Sequence, residues 1–250
     1  MGIPGCFIDD KMLICAMIRK PNLTIFLLLL LSGISARGEV YANMSADIFS
    51  SYVFRGLSPA GRQAAAALNA SAYFPAAHIN ISQWYVNSLL QPADYHESGT
   101  MFSYYHYFGE RFVASGNMTA YLYPAVPAMP FLTLEFGLAF SDLVSVIPYY
   151  IETYLDVILK SWYWKFTGGY NFDLFLPVNL TLSAGVNLLS YTRAGHVIDR
   201  GFSDLSAQLS TYISLKNWRI TPKIQYIIPL DPSVNGSMLL QAAVNIGYSF

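Results

Sequence analysis

The sequence predicts an all-β protein, a transmembrane antiparallel up-and-down β-barrel of about twelve strands. Three observations carry that expectation. The last residues, Val244-Asn245-Ile246-Gly247-Tyr248-Ser249-Phe250, alternate strictly. Val244, Ile246, Tyr248 and Phe250 share one face and Asn245, Gly247 and Ser249 the other, as in an extended strand. The chain is 54% hydrophobic yet only 12% charged, and it holds 19 Tyr, 16 Phe and 4 Trp. Beyond residue 42 no stretch approaches the ~20 apolar residues of a membrane helix. A closed barrel is the other backbone arrangement that satisfies its hydrogen bonds in hydrocarbon. The competing reading is an unusually apolar soluble β protein, which would turn its large apolar residues inward.

The front of the chain reads as an export signal. Arg19 and Lys20 precede an apolar run from Leu23 to Leu31, followed by Ser32-Gly33-Ile34-Ser35-Ala36. A basic region, a short apolar core and small residues define a secretory signal peptide, and the run is too short to span a bilayer. Residues 1–42 are therefore expected to be an N-terminal extension and signal peptide, cleaved between 36 and 42, with Met17 a better start than Met1. Residues 43–250 are expected to form the barrel, with no second domain. Both cysteines, Cys6 and Cys15, precede the apolar run. The exported chain then has no disulfide, thiolate metal site or cysteine nucleophile.

Turn formers and alternation divide the rest. Strands are expected near 44–57, 63–74, 78–88, 99–108, 111–123, 131–141, 144–157, 161–172, 178–191, 203–214, 218–228 and 238–250. Pro59-Ala60-Gly61, Pro75-Ala76-Ala77, Gly109-Glu110, Ser141-Asp142, Lys216-Asn217 and Asp231-Pro232-Ser233 supply turn chemistry between them. The sixth segment sets Leu132, Leu134, Phe136, Leu138 and Phe140 against Thr133, Glu135, Gly137 and Ala139. The eighth sets Trp162, Trp164 and Phe166 against Ser161, Lys165 and Thr167, with Tyr163 on the polar side. The ninth sets Leu180, Leu182 and Val186 against Thr181, Ser183 and Gly185, and the tenth Leu205, Ala207 and Leu209 against Asp204, Ser206 and Gln208. Apolar residues facing lipid and small polar residues facing a lumen fit a membrane barrel, since small polar groups fill a dry core poorly. The longer connections, 88–98, 124–130, 192–202 and 229–237, all fall on one side when both ends of the chain lie on the other.

Four stretches resemble a known family. Ser50-Ser51-Tyr52-Val53-Phe54-Arg55-Gly56-Leu57-Ser58 is similar to the opening motif of the TorF-like porin family of bacterial outer-membrane proteins. Gly201-Phe202-Ser203-Asp204-Leu205, Ile220-Thr221-Pro222-Lys223-Ile224-Gln225-Tyr226 and the final Gly247-Tyr248-Ser249-Phe250 recur there in the same order. The family usually has an acidic residue where Ser51 stands here. The resemblance implies an outer-membrane barrel with a channel role and brings no catalytic residues. It also implies that Tyr248 and Phe250 signal to a barrel-assembly machinery.

The lumen holds the candidate functional residues. By alternation Asp47, Arg55, Glu135, Glu152, Asp156, Lys165, Asp204, Arg219 and Lys223 point inward. They line either a narrow polar channel, whose fixed charges tune selectivity, or a self-paired ionic plug in a small barrel. Inward aromatics such as Trp84 or Tyr163 could stack a sugar. His78 and Ser82 share a strand face at about 13 Å, too far for a nucleophile–base pair. His96 beside Glu97, and His196 near Asp199, belong to expected loops, and His106 to an interfacial girdle. The sequence has no catalytic set, metal-ligand spacing or cofactor-binding motif, and no clustered basic surface for nucleic acid. The expected partners are outer-membrane lipids and the assembly machinery, with a monomer slightly favoured. The leading function is passive passage of small polar solutes or ions across the bacterial outer membrane. A plugged structural or surface-binding barrel is the alternative, followed by an outer-membrane hydrolase.

Overall fold

The computed structural model describes residues 39–55, 63–89, 95–124, 129–142, 144–145, 147–173, 175–193, 196–231 and 238–250. Of the expected segment 1–42, residues 1–38, with Cys6 and Cys15, lie outside the described residues, whereas Tyr41 and Ala42 already belong to the first strand. Twelve strands form the wall. They are β1 (Tyr41–Phe49), β2 (Ala65–Phe74), β3 (Ile79–Ser88), β4 (His96–Phe108), β5 (Phe112–Leu122) and β6 (Leu132–Asp142). They continue with β7 (Tyr149–Asp156), β8 (Ser161–Asp173), β9 (Pro177–Asn187), β10 (Gly201–Thr211, extended by Ile213–Leu215), β11 (Trp218–Pro229) and β12 (Leu239–Ser249). Each pairs antiparallel with its chain neighbours, and β1 closes on β12 with Asp47 opposite Asn245. Closure leaves no open strand edge.

The wall is apolar outside and polar within. Leu68, Leu138 and Leu240 are 63%, 65% and 68% exposed, whereas their lumen-facing neighbours Ala67, Gly137 and Gln241 point inward. Outward rings gather near one end of the barrel, where Phe112 stacks on Phe140, and Trp218, Tyr248 and Phe250 touch edge to face. Such belts sit at membrane interfaces, where an amphipathic ring is half wet. The arrangement predicts a sharp contrast at neighbouring residues midway along β9. Leu182→Arg should cost about 2–4 kcal/mol in bilayer vesicles, the price of an arginine on the lipid face at mid-depth. Ser183→Arg, pointing into the lumen, should cost much less. Urea unfolding followed by tryptophan fluorescence measures both, and equal losses would contradict the assigned faces.

The connections sort by end. Tight turns near 75–78, 109–111 and 216–217 share one end with both chain termini (the turn end). The longer connections 50–64, 89–95, 123–131, 188–200 and 230–238 share the other (the loop end). The connection 50–64 is longer than the sequence suggested, because β1 stops at Phe49 and not near residue 57. The amide of Ser50 still bonds the carbonyl of Ala242 across to β12. Beyond it the chain leaves the wall, because Tyr52, Phe54 and Arg55 find partners in the lumen. A second correction concerns β4, which begins at His96, so the segment expected to be a loop as far as residue 98 belongs partly to the wall. At the loop end, Tyr191–Arg193 pairs with His196–Ile198 in a short hairpin within the β9–β10 connection.

Candidate functional site: a charged and aromatic cluster in the lumen

The turn-end half of the lumen is lined by small hydroxyl and amide side chains. Ser183 and Ser206 share a hydrogen bond of 2.7 Å, and Asn179 donates to Asn171 at 2.7 Å. Two ion pairs stand near mid-depth, where this half meets the other. Lys223 lies 3.7 Å from Asp47, which also accepts from Asn69 at 2.8 Å. Lys165 lies 4.0 Å from Glu152, which accepts from the Tyr154 hydroxyl at 2.7 Å.

The loop-end half is filled. Ser51 to Arg55 fold inward as a strap, and the hairpin that carries Arg193 closes over it. Glu97, Glu135, Asp156 and Asp204 are buried there, as are the side chains of Arg55 and Arg193. Burying charge is costly unless each group is paired or hydrogen-bonded; here Glu97 and Glu135 face arginines, while Asp156 and Asp204 are held by hydrogen bonds. Glu97 accepts from Tyr95 at 2.5 Å, Trp84 at 3.0 Å and Tyr52 at 3.3 Å, and lies 3.9 Å from Arg193. Glu135 pairs with Arg55 at 2.5 Å and accepts from Tyr121. Asp204 accepts from Ser203 and Tyr163. Asp156 caps the β7–β8 turn by accepting the amides of Ile158 and Leu159. The Phe54 ring lies between two guanidiniums, Arg193 at 4.2 Å and Arg55 at 4.7 Å.

Glycines on facing strands make room for the rings. The Trp84 indole lies over Gly99, its register partner, so closely that a Cβ there would fall 2.0 Å from the ring. Tyr154 lies over Gly137 in the same way, where a Cβ would come within 2.9 Å. Rings laid flat on cross-strand glycines recover the packing those glycines lack.

The charged residues expected in the lumen are dispersed. Glu135 and Asp204, with Arg55, enter the loop-end cluster, while Asp47, Glu152, Lys165 and Lys223 form the two wall pairs. Arg55 faces inward because the strap turns it there; the expected strand 44–57 does not extend to it. Arg219 is exposed at the turn-end mouth, with its guanidinium 4.0 Å over the Tyr212 ring. Trp84 and Tyr163 do face inward, but under the strap. Glu97 and Arg193 were not expected in the site. Extending the β4 alternation back from Gly99 would have found Glu97. Nothing local marks Arg193, whose burial depends on how its hairpin folds.

Two histidine placements differ from expectation. His78 ends the turn Pro75–Ala77 with a φ of 54°, so it shares no strand face with Ser82, and its ring meets Tyr107. His96 lies on β4, where it meets the Tyr85 hydroxyl at 3.0 Å.

No family model and no curated protein matches the chain. Solved structures match it along most of its length. The KdgM porin is 12% identical with a TM-score of 0.53, covering 84% of this chain and 99% of that one. The NanC porin is 9% identical with a TM-score of 0.54, covering 84% and 98%. The chain has the fold of outer-membrane porins. LpxR from Salmonella typhimurium, an outer-membrane enzyme, is also similar at 7% identity and a TM-score of 0.52, covering 82% and 99%. At such identities the likeness speaks for the porin-like barrel, and the chemistry must be argued from this chain's own lumen.

Proposed function

We propose that this porin-like barrel lies in the bacterial outer membrane and passes small polar solutes or ions passively through a narrow, charged lumen. The observation that carries the reading is the inner wall of the turn-end half, rich in hydroxyl and amide groups, with two ion pairs at its inner edge. A dry structural core would not be built from such groups, whereas a water-filled one would. The similarity of the opening and closing segments to the TorF-like porins supports the same reading, as does the porin fold. In this reading the loop end faces outward, lipids cover the apolar belt, and the outward Tyr248 and Phe250 are presented to the assembly machinery. The barrel carries out no covalent chemistry.

The buried loop-end cluster favours a second reading, in which the barrel is plugged and works as a structural or surface-binding protein. Neutralising Arg219 and Lys223 together separates the two. Both side chains lie on the lumen face of β11, and removing fixed positive charge lowers the barrier for cations and raises it for anions. In planar bilayers, the double variant Arg219→Gln, Lys223→Gln should shift reversal potentials toward cation selectivity. Absence of conductance in both proteins, with a lowered unfolding temperature in the variant where Asp47 has lost its partner, would leave the plugged barrel.

A further inference from the structure

We propose that the Arg55 guanidinium is a tethered occupant of a binding site for cationic solutes, and that a free guanidinium or ammonium compound takes the same place by displacing it. The pocket around Arg55 has the parts a cation site needs. Glu135 supplies a carboxylate at 2.5 Å. The rings of Tyr154 and Tyr163 lie 4.7 and 4.9 Å from the guanidinium carbon, within the range at which a ring face attracts a cation. All three groups belong to wall strands and stay in place if the strap moves. Asp204 holds Tyr163 by its hydroxyl, and Tyr154 is seated on Gly137.

Two further observations point to a ligand. Thr133, two residues from Glu135 on the lumen face of β6, and Asn187, opposite Tyr163 on β9, are 0% and 2% exposed. Among the described residues, the Thr133 hydroxyl and the Asn187 carbonyl oxygen have no hydrogen-bond partner. Buried acceptors of this kind are ordinarily satisfied, and each could receive an N–H from a cation richer in donors than one arginine at the end of a strap. Among the described residues the charge balance agrees, with five buried carboxylates at this end (Glu97, Glu135, Asp156, Asp204 and Asp231) against two buried arginines. The occupant is also held less firmly than the cage. Among the described residues the strap has a wall backbone bond at Ser50 and an isolated bridge at Phe54 in place of a continuous ladder, and Arg55 takes a left-handed φ of 51°, which a residue with a side chain seldom adopts.

The inference concerns binding and can be read without flux, so a barrel that does not conduct leaves it testable. Equilibrium dialysis of the folded barrel in detergent, with arginine amide as probe and the neutral citrulline amide as control, provides the measurement. An occupant tethered in its own site lowers apparent affinity by the fraction of time it is bound. Arg55→Ala should therefore bind arginine amide about tenfold tighter than the unaltered barrel, and adding Glu135→Gln should remove that binding. Unchanged affinity in Arg55→Ala, or citrulline amide bound as well as arginine amide, would overturn the proposal. Should Arg55→Ala not fold, the wild-type strap provides the reading. With Cys6 and Cys15 replaced by serine, Val53→Cys should react with a maleimide several-fold faster in saturating arginine amide. An unchanged rate would equally overturn the proposal.

Discussion

Glu97→Ala is expected to destabilise the barrel more than any other change to the lumen, by about 3–5 kcal/mol, the usual consequence of breaking a buried ionic network from one side. Glu97 is fully buried, and its two oxygens serve Tyr52, Trp84 and Tyr95 while facing the Arg193 guanidinium. Alanine leaves three donors and a buried positive charge with no acceptor at that position. Glu97→Gln keeps an oxygen and the side-chain shape but loses the charge, so its loss should be smaller, about 1–3 kcal/mol. Urea unfolding in vesicles and the temperature at which the folded band disappears on heat-modifiability gels measure both. If alanine and glutamine cost the same small amount, Glu97 is hydrated in solution and the loop end of the lumen is not dry.

Gly99→Ala is also expected to destabilise the filled end of the lumen, although it adds a single methyl group. Overpacking a filled interior costs about 1–3 kcal/mol, and here the obstacle is a rigid indole. The Trp84 ring must tilt away from the wall, which strains its hydrogen bond to Glu97 and its edge contact with Tyr121, whose centroid is 5.5 Å away. The same methyl group at Gly116, where the nearest side-chain atom lies 3.9 Å from the added Cβ, should be nearly neutral. Because Gly99 and Glu97 act through one indole, the double variant should lose less than the sum of the two single losses, as coupled neighbours do. Unfolding free energies for the four proteins test this, and strict additivity would mean that Trp84 does not link the two sites.

These two effects bear on how the lumen works. The half that faces the turns is lined by groups that water satisfies equally well, so substitutions there should alter passage more than stability. The loop-end half is built as protein interiors are, with its charges paired or hydrogen-bonded and its rings seated, and its substitutions should register first in folding. In the proposed channel, a solute crossing the barrel would meet the strap at Phe54 and Arg55. The selectivity experiment on Arg219 and Lys223 and the binding experiment on Arg55 therefore report on different levels of one lumen.

The barrel itself was legible in the chain because its signal is local and repeated. Each strand states its two faces with a period of two residues, and a single slipped residue would exchange lipid for water along the whole segment. Leu134 against Glu135, Leu182 against Ser183 and Ile224 against Lys223 carry that statement without reference to any other strand. The number of strands and the inward direction of Asp47, Glu135, Glu152, Lys165, Asp204 and Lys223 follow from it. What alternation cannot convey is which inward residues meet, since that depends on register around a closed wall and on where the connections go. Asp47 meets Lys223 because β1 closes on β12 beside β11, a contact between residues far apart in the chain. The path from Ser51 to Arg55 was read as more strand, because Tyr52-Val53-Phe54 has strand-like residues. It leaves the wall because a guanidinium gains more from Glu135 and two tyrosine rings than from one more ladder hydrogen bond. Local pattern thus set the wall, and only the closed tertiary structure decided that half of its interior would be filled by the protein's own loops, because burial of charge is favourable only where distant partners converge.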